Sequence, residues 1–213
     1  MRDIVNEHVA HFGRLDNLSD KVAIQLNDTH PAIAVAELMR ILIDDHRLPW
    51  ERAWELTVRT TGFTNHTLMP EALETWPVEL FGRLLPRHLE VVREVDRRFR
   101  REVRTAFPDD EDRVEAMAVV DAEATIHMAR LAIVGSHAVN GVAQLHTNLL
   151  RKEVVRDFAD FFPRTLQQQD QWRDAPPVAA RLQPTPFDAH HGKGRPRLGA
   201  RSRPPRRVDG LRG

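Results

Sequence analysis

Apolar positions recur at two different periods along this chain, and the period predicts the element. Residues 2–12 set Ile4, Val5, Val9 and Phe12 among charged positions at helical spacing, which predicts an amphipathic helix. Val22 to Leu26 is a β-prone apolar run and predicts a buried strand over 21–27. Across 32–46, Ile33, Ala36, Leu38, Met39, Ile41 and Leu42 return to helical spacing. Pro49 can open a further helix carrying Trp50, Ala53, Trp54 and Val58, which Gly62 is expected to end. Residues 63–67 read as a short strand or loop. From 77 to 105 the pattern predicts two helices broken near Pro86. The second has Leu89, Val92, Val95, Phe99 and Val103 on one stripe, with Arg and Glu opposite. Pro108 and Asp109 to Asp112 predict a loop and a helix start. Residues 124–134 fit helix or strand, Gly135 breaks the run, and 138–150 read as helical. No internal repeat is present.

The first strand ends in Asn27-Asp28-Thr29-His30, and Pro31 follows where a helix can start. In α/β sheets, ligands sit in the crevice beyond the carboxyl ends of the strands, so this is a polar site at a strand end. Asp28 and His30 also have the look of a metal pair, but no third ligand stands at a defined spacing. Turn chemistry and a helix cap at Asn27 to Thr29 form a further reading. His137 and His146 lack partners at metal spacing and read as structural. Trp50 and Trp54 read as core rather than as a sugar platform. The run Arg97, Arg98, Arg100, Arg101 reads as a solvated helix face.

Composition narrows the classes. The chain has 213 residues, enough for one domain with a sizeable core. Its formal net charge is +0, so no global field selects nucleic acid or membrane. Cysteine is absent, which excludes a disulfide framework and a thiolate metal site. No run approaches a membrane span, and residues 1–12 do not combine a charged leader with an apolar core. A cytoplasmic setting is the expectation.

The wording of the motifs is more specific than their pattern. Val22-Ala23-Ile24-Gln25-Leu26-Asn27-Asp28-Thr29-His30-Pro31 resembles the α-glucan (glycogen, starch, maltodextrin) phosphorylase family almost letter for letter. Leu48 to Glu55, Thr64-Asn65-His66-Thr67 with Pro70 to Glu74, Trp76 to Leu80, Leu84 to Leu89 and His127 to Ala143 follow in family order. The similarity covers about residues 1–164. It implies an internal piece of that family's N-terminal domain: a partial, helix-rich, Rossmann-like α/β unit of a two-domain glycosyltransferase fold of the GT-B type. It further implies phosphorolysis of a terminal α-1,4-glucosidic bond to glucose 1-phosphate, with α-glucan and phosphate as substrates and a homodimer as the assembly. The family's cofactor is pyridoxal phosphate, bound as a Schiff base to a lysine far downstream, and its phosphate does the acid–base work. This chain is therefore expected to hold no cofactor, to contain no catalytic acid and to be inactive alone.

The resemblance also assigns substrate-binding residues. His66 would face the glucosyl unit, its side chain near the 6-hydroxyl and its carbonyl near the anomeric carbon. From the residue alone, a buried structural histidine is the competing reading. Asp28 and His30 would line the pocket beside the anomeric face, in part through water, and Thr67 would sit next to His66. Glu74 is a further wall candidate. Asn140, Gly141 and Val142 would approach from the other side, with Gly141 permitting close backbone approach; a helix-start loop is the alternative there.

After Pro163 the character changes. Residues 165–213 are rich in Arg, Pro, Gly and Gln and read as a disordered basic tail. A polyanion-binding arm is one interpretation. Another comes from the reading frame. Codons chosen among synonyms for Leu166 to Ala180, read one base later, spell FNNKTNGVTPRRWL, a family-like segment. Trp172 followed by Arg173 yields glycine in that frame whatever the codon. The expectation is a frameshift after about Arg164, giving two parts, 1–164 and an out-of-frame 165–213. Beside the phosphorylase piece stand two other functional readings: a non-catalytic glucan-binding or subunit-binding module, and a metal hydrolase built on Asp28, His30 and His66.

Overall fold

The computed structural model describes residues 1–67, 69, 73–150, 156–162 and 165. By its internal contacts the chain divides into Met1–Asp174 and Ala175–Gly213, and all described residues belong to the first unit. The expected tail and its frameshift lie outside the described residues, Thr165 apart. Among the described residues no helix is long and apolar enough to cross a membrane.

The unit is an α/β layer around a parallel sheet. Helix α1 (Arg2–Phe12) and the single turn α2 (Leu18–Lys21) lead into strand β1 (Ile24–Asn27). The chain then forms α3 (Ile33–Arg40), which runs on into a π-helical turn, Ile41–Asp45, and α4 (Trp50–Thr60). Strand β2 (Thr61–Asn65) follows without a loop, so Gly62 lies inside a strand rather than ending the helix. A short antiparallel pair, β3 (Thr75–Pro77) and β4 (Thr125–His127), brackets α5 (Val78–Leu84), α6 (Pro86–Ala106) and α7 (Glu111–Met117). The ambiguous 124–134 stretch resolves into β4 and then α8 (Met128–Val134). The expected helix over 138–150 is corrected to strand β5 (Ala138–Gly141) followed by α9 (Gln144–Leu149); α10 (Arg156–Phe161) completes the described elements.

Strand order is β1-β2-β5, all parallel. The register pairs Leu26 with Phe63 and Phe63 with Val139, so these three side chains share one face. All three are fully buried, in one core cluster with Val35, Leu38 and Leu131. The other face is polar. Gln25 stands opposite Gly62, and Thr64 opposite both Asn27 and Asn140. A β-carbon on Gly62 would come within 2.8 Å of Gln25 Oε1, so glycine lets the Gln25 amide lie across the central strand. Gln25 Nε2 donates to Thr64 Oγ1 at 2.9 Å, and that hydroxyl donates to Asn140 Oδ1 at 3.2 Å. One hydroxyl, using its donor and its acceptor, thus ties three strands together.

The long helix α6 follows its stripe. Pro86 stands in its first turn, and Leu89, Val92, Val95, Phe99 and Val103 are buried. Its basic run is largely neutralised. Arg97 and Arg98 both hold Glu94 at 2.6 Å, and Arg100 holds Asp96 at 2.9 Å and Glu115 at 2.7 Å. The two guanidiniums keep the Glu94 carboxyl down at about 2. Trp50 and Trp54 pack against the core, and Arg98 covers the Trp50 ring at 4.9 Å.

Candidate functional site

The carboxyl ends of β1, β2 and β5 come out side by side, and β1 and β2 hand over directly to polar residues. Asp28 leaves β1 with φ 63°, a left-handed conformation that Asp tolerates better than branched residues. Its amide still donates to Thr64 O at 2.8 Å, extending the ladder by one bond. Its Oδ1 accepts from the Thr29 amide at 2.7 Å. The turn chemistry expected at Asn27 to Thr29 is present and coexists with an exposed strand end. His66 follows β2 directly. Its Nε2 lies 2.6 Å from Asn27 Oδ1. An amide oxygen only accepts, so Nε2 carries the hydrogen and the ring is orientated across the β1–β2 gap.

The other expected site residues fall into three groups. Thr67 accepts at Oγ1 from the Met69 amide at 3.3 Å, just past His66. Asn140 is buried within the sheet's polar face, bonded to Thr64 and, through Nδ2, to Gly141 O at 3.0 Å. Val142 is half-buried just past β5. His30 is drawn elsewhere: its side chain is 82% exposed and its Nδ1 stands 3.4 Å from Glu74 Oε2. Glu74 Oε1 in turn accepts from Trp76 Nε1 at 2.9 Å. His30 and Glu74 border a small, mainly apolar pocket of about 110 Å³ with Ile33, Trp76, Phe81 and Met128. Among the described residues no group of three or more His, Cys, Asp or Glu gathers as a metal site, so Asp28, His30 and His66 do not form the hydrolase cluster.

Two histidines read as structural from spacing have different fates. His137 Nδ1 faces the carbonyls of Thr61 at 2.6 Å and Val58 at 3.2 Å, tying the residue before β5 to the junction of α4 and β2. That is a structural role. His146, in the first turn of α9, belongs with the strand ends. It packs on Gly141: a β-carbon there would collide with His146 Nδ1 and reach 2.9 Å from the Thr147 amide. Both its ring nitrogens are shielded from solvent and have no hydrogen-bond partner among the described residues. Burial pushes its pKa below the ordinary imidazole value, and the neighbouring His66 adds to that; the His66 main chain and the Asp28 charge pull the other way. The sequence signal for His146 was Gly141 itself, a position with room for a close neighbour.

The site therefore offers amide, hydroxyl and imidazole groups with one carboxylate, Asp28. That set suits a neutral polyol better than an anion. The sequence profile described as carbohydrate phosphorylase matches residues 1–171. Glycogen phosphorylase of Synechocystis sp. is 48% identical over 165 residues, covering 76% of this chain and 19% of that protein. The muscle forms of glycogen phosphorylase from Ovis aries and Homo sapiens are 54% and 53% identical over 156 residues, covering 72% of this chain and 18% of each of them. The chain thus spans about a fifth of the length of the curated relatives it matches.

Proposed function

The chain belongs to the carbohydrate phosphorylase family, and from that premise we propose that it builds one wall of the sugar cleft of an α-1,4-glucan phosphorylase. That enzyme would cleave a terminal α-1,4-glucosidic bond with inorganic phosphate and release glucose 1-phosphate, working in the cytoplasm as a homodimer. The sheet would be part of the first of two Rossmann-like domains in a GT-B arrangement. The observation that carries the reading is the His66–Asn27 bond at 2.6 Å across the carboxyl ends of β1 and β2, where α/β sheets bind ligands.

In this reading His66 presents its imidazole to the 6-hydroxyl and its carbonyl to the anomeric carbon. A carbonyl dipole there favours the positive charge that develops as the glycosidic bond breaks. Asp28 and Thr67 flank it, and Val142 shapes the opposite side. His30 reaches the sugar through water from its pocket beside Glu74. Asn140 acts from beneath, by holding Thr64 and the end of β5.

Pyridoxal phosphate, the family's cofactor, supplies acid–base chemistry through its phosphate when bound to a lysine. The described residues contain one lysine, Lys21. It precedes β1, at the strand end opposite the crevice, and its Nζ lies over the Phe12 ring at 5.9 Å. The described residues do not fit the cofactor. Their contribution is to bind and orientate the sugar. Retention on immobilised glycogen, with competition by a maltooligosaccharide, tests this. Saturable retention that is lost in His66→Ala is expected. Retention that is absent, or that survives His66→Ala unchanged, defeats the assignment. Glycogen, phosphate and pyridoxal phosphate added to the chain alone should yield no glucose 1-phosphate.

A further inference from the structure

Asn140-Gly141 is the only asparagine–glycine pair in the sequence; Asn6, Asn17, Asn27, Asn65 and Asn148 each precede a residue with a side chain. Such a pair is chemically labile in an open chain. The amide nitrogen of the second residue can attack the asparagine carboxamide carbon, and glycine, with no side chain in the way, lets it come closest. The bond from that carbon to the carboxamide nitrogen breaks, ammonia leaves, and a five-membered succinimide remains. Water then opens either of its carbonyls, giving aspartate or isoaspartate. The balance is one water taken up and one ammonia lost.

The native sheet holds the reacting groups still. Asn140 pairs with Thr64 and Gly141 with Asn65, so neither backbone is free to close into the ring. The carboxamide is tied on both sides: Oδ1 accepts from Thr64 Oγ1 at 3.2 Å, and Nδ2 donates to Gly141 O at 3.0 Å. The attacking nitrogen is tied as well. The Gly141 N–H, which must give up its proton, donates to Thr147 Oγ1 in α9 at 3.0 Å. Asn140 and Thr147 are both buried, which keeps water from the second step. Glycine itself is required here, because a β-carbon would collide with His146 Nδ1. The fold thus keeps the labile pair and covers it with α9.

We propose that Asn140-Gly141 is a deamidation site closed by the hydroxyls of Thr147 and Thr64: it is silent while α9 sits on the end of β5 and reacts when that contact opens. The inference is independent of the sugar-cleft reading. The modification runs one way. Isoaspartate carries its β-carbon into the main chain, so the pairs Thr64–Asn140 and Asn65–Gly141 cannot both keep register. Aspartate puts a carboxylate oxygen where Nδ2 now donates to the Gly141 carbonyl. Either product weakens the strand end that formed it, so openings of β5 are recorded and made easier.

The test is mass spectrometry of the full chain aged at mildly alkaline pH, without sugar. It follows the gain of one mass unit in the peptide that contains Asn140, with fragment ions separating Asn140 from Asn148. Closing is fast against this slow chemistry, so the rate tracks the open population. Chain unfolded in guanidinium chloride should deamidate at Asn140 at least roughly tenfold faster than native chain. Thr147→Val, which keeps the shape and removes the acceptor, should move the native rate toward the unfolded one. Thr147→Ser, which keeps the acceptor, should stay near wild type. A native rate equal to the unfolded rate overturns the proposal, as does a folded Thr147→Val that ages like wild type. Should Thr147→Val fail to fold, Thr64→Val, which frees Asn140 Oδ1, takes its place: a faster native rate supports the proposal and an unchanged one overturns it.

Discussion

Gly141→Ala isolates the contact on which the end of β5 depends. The backbone of Gly141 does not occupy the left-handed region, so alanine adds no conformational strain. The cost is steric. The new methyl would overlap His146 Nδ1 and crowd the Thr147 amide at 2.9 Å. The imidazole can swing only by leaving its seat, and the Thr147 amide is part of α9. Overpacking of this kind costs roughly 1–3 kcal/mol. A shift of α9 also pulls Thr147 Oγ1 from the buried Gly141 amide, now at 3.0 Å, for roughly another 1–3 kcal/mol. A total of about 2–6 kcal/mol would lower Tm by roughly 4–24 °C in a domain of this size. Thermal melts of Gly141→Ala, His146→Ala and the double variant form a cycle. His146→Ala removes one of the two obstacles, so Gly141→Ala should cost less in that background, by about 1 kcal/mol or more. Additive effects, or a neutral Gly141→Ala, would refute the packing argument.

Other outcomes follow from groups away from the strand ends. Asp96 is buried and accepts from the Val119 and Val120 amides at 2.8 and 3.2 Å and from Arg100 Nε at 2.9 Å. Asp96→Ala should cost about 3–5 kcal/mol in urea unfolding, since it orphans two amides and a guanidinium bond; Asp96→Asn, which keeps one acceptor, should cost less. The pKa of His146 is lower in the fold than its ordinary 6.5. The unfolded chain then binds more protons between the two values, so this residue's contribution is complete above about pH 6.5 and is lost as pH falls through the folded value. Stability against pH should therefore flatten over that window in His146→Gln, measured by urea midpoints. Glu94, depressed to about 2 by Arg97 and Arg98, contributes above its unfolded value of 4.5 and loses that contribution toward pH 2. Glu94→Gln should weaken acid dependence there, and an unchanged acid limb would dismiss the pairing.

Much of the fold was legible because its signals are local. Pro86 followed by a stripe from Leu89 to Val103 can hardly be anything but a helix, and α6 begins and ends close to those marks. Strand β5 was not legible. Ala138-Val139-Asn140-Gly141 contains three residues with low strand propensity, and the flanking apolar spacing suggests a helix. What makes it a strand is non-local: the buried edge of β2 accepts it in parallel register, 76 residues away in sequence. Gly62 misled for a similar reason. Glycine after a helical pattern usually ends it, whereas here it gives way to the Gln25 amide. At the site, Asp28 and His66 could be read as strand ends. His30 could not be separated from Asp28 by spacing, because its partner Glu74 comes from a different segment. Gly141 announced a close approach without saying that α9 itself, through His146, makes it.

The register ties these observations together. Parallel sheets shift by whole residues, and a slip of one would carry each side chain to the other face. Two sets of interactions compete to fix the alignment of β1, β2 and β5. The polar set comprises Gln25–Thr64, Thr64–Asn140 and Asn27–His66, each of roughly 0.5–1.5 kcal/mol net. The apolar set is Leu26, Phe63 and Val139, all fully buried, each of roughly 1.5–3 kcal/mol relative to exposure. The apolar set is the larger by about a factor of two. The core face therefore sets the register, and the polar face takes the alignment it is given. Gly62 sits opposite Gln25 and Thr64 opposite Asn140 because Leu26, Phe63 and Val139 must meet on the far side. The position of His66 over Asn27 is in this sense decided by hydrophobic residues that no ligand touches. A small-to-large change on the core face, such as Val139→Phe, should disturb the crevice more than the loss of any single hydrogen bond within it.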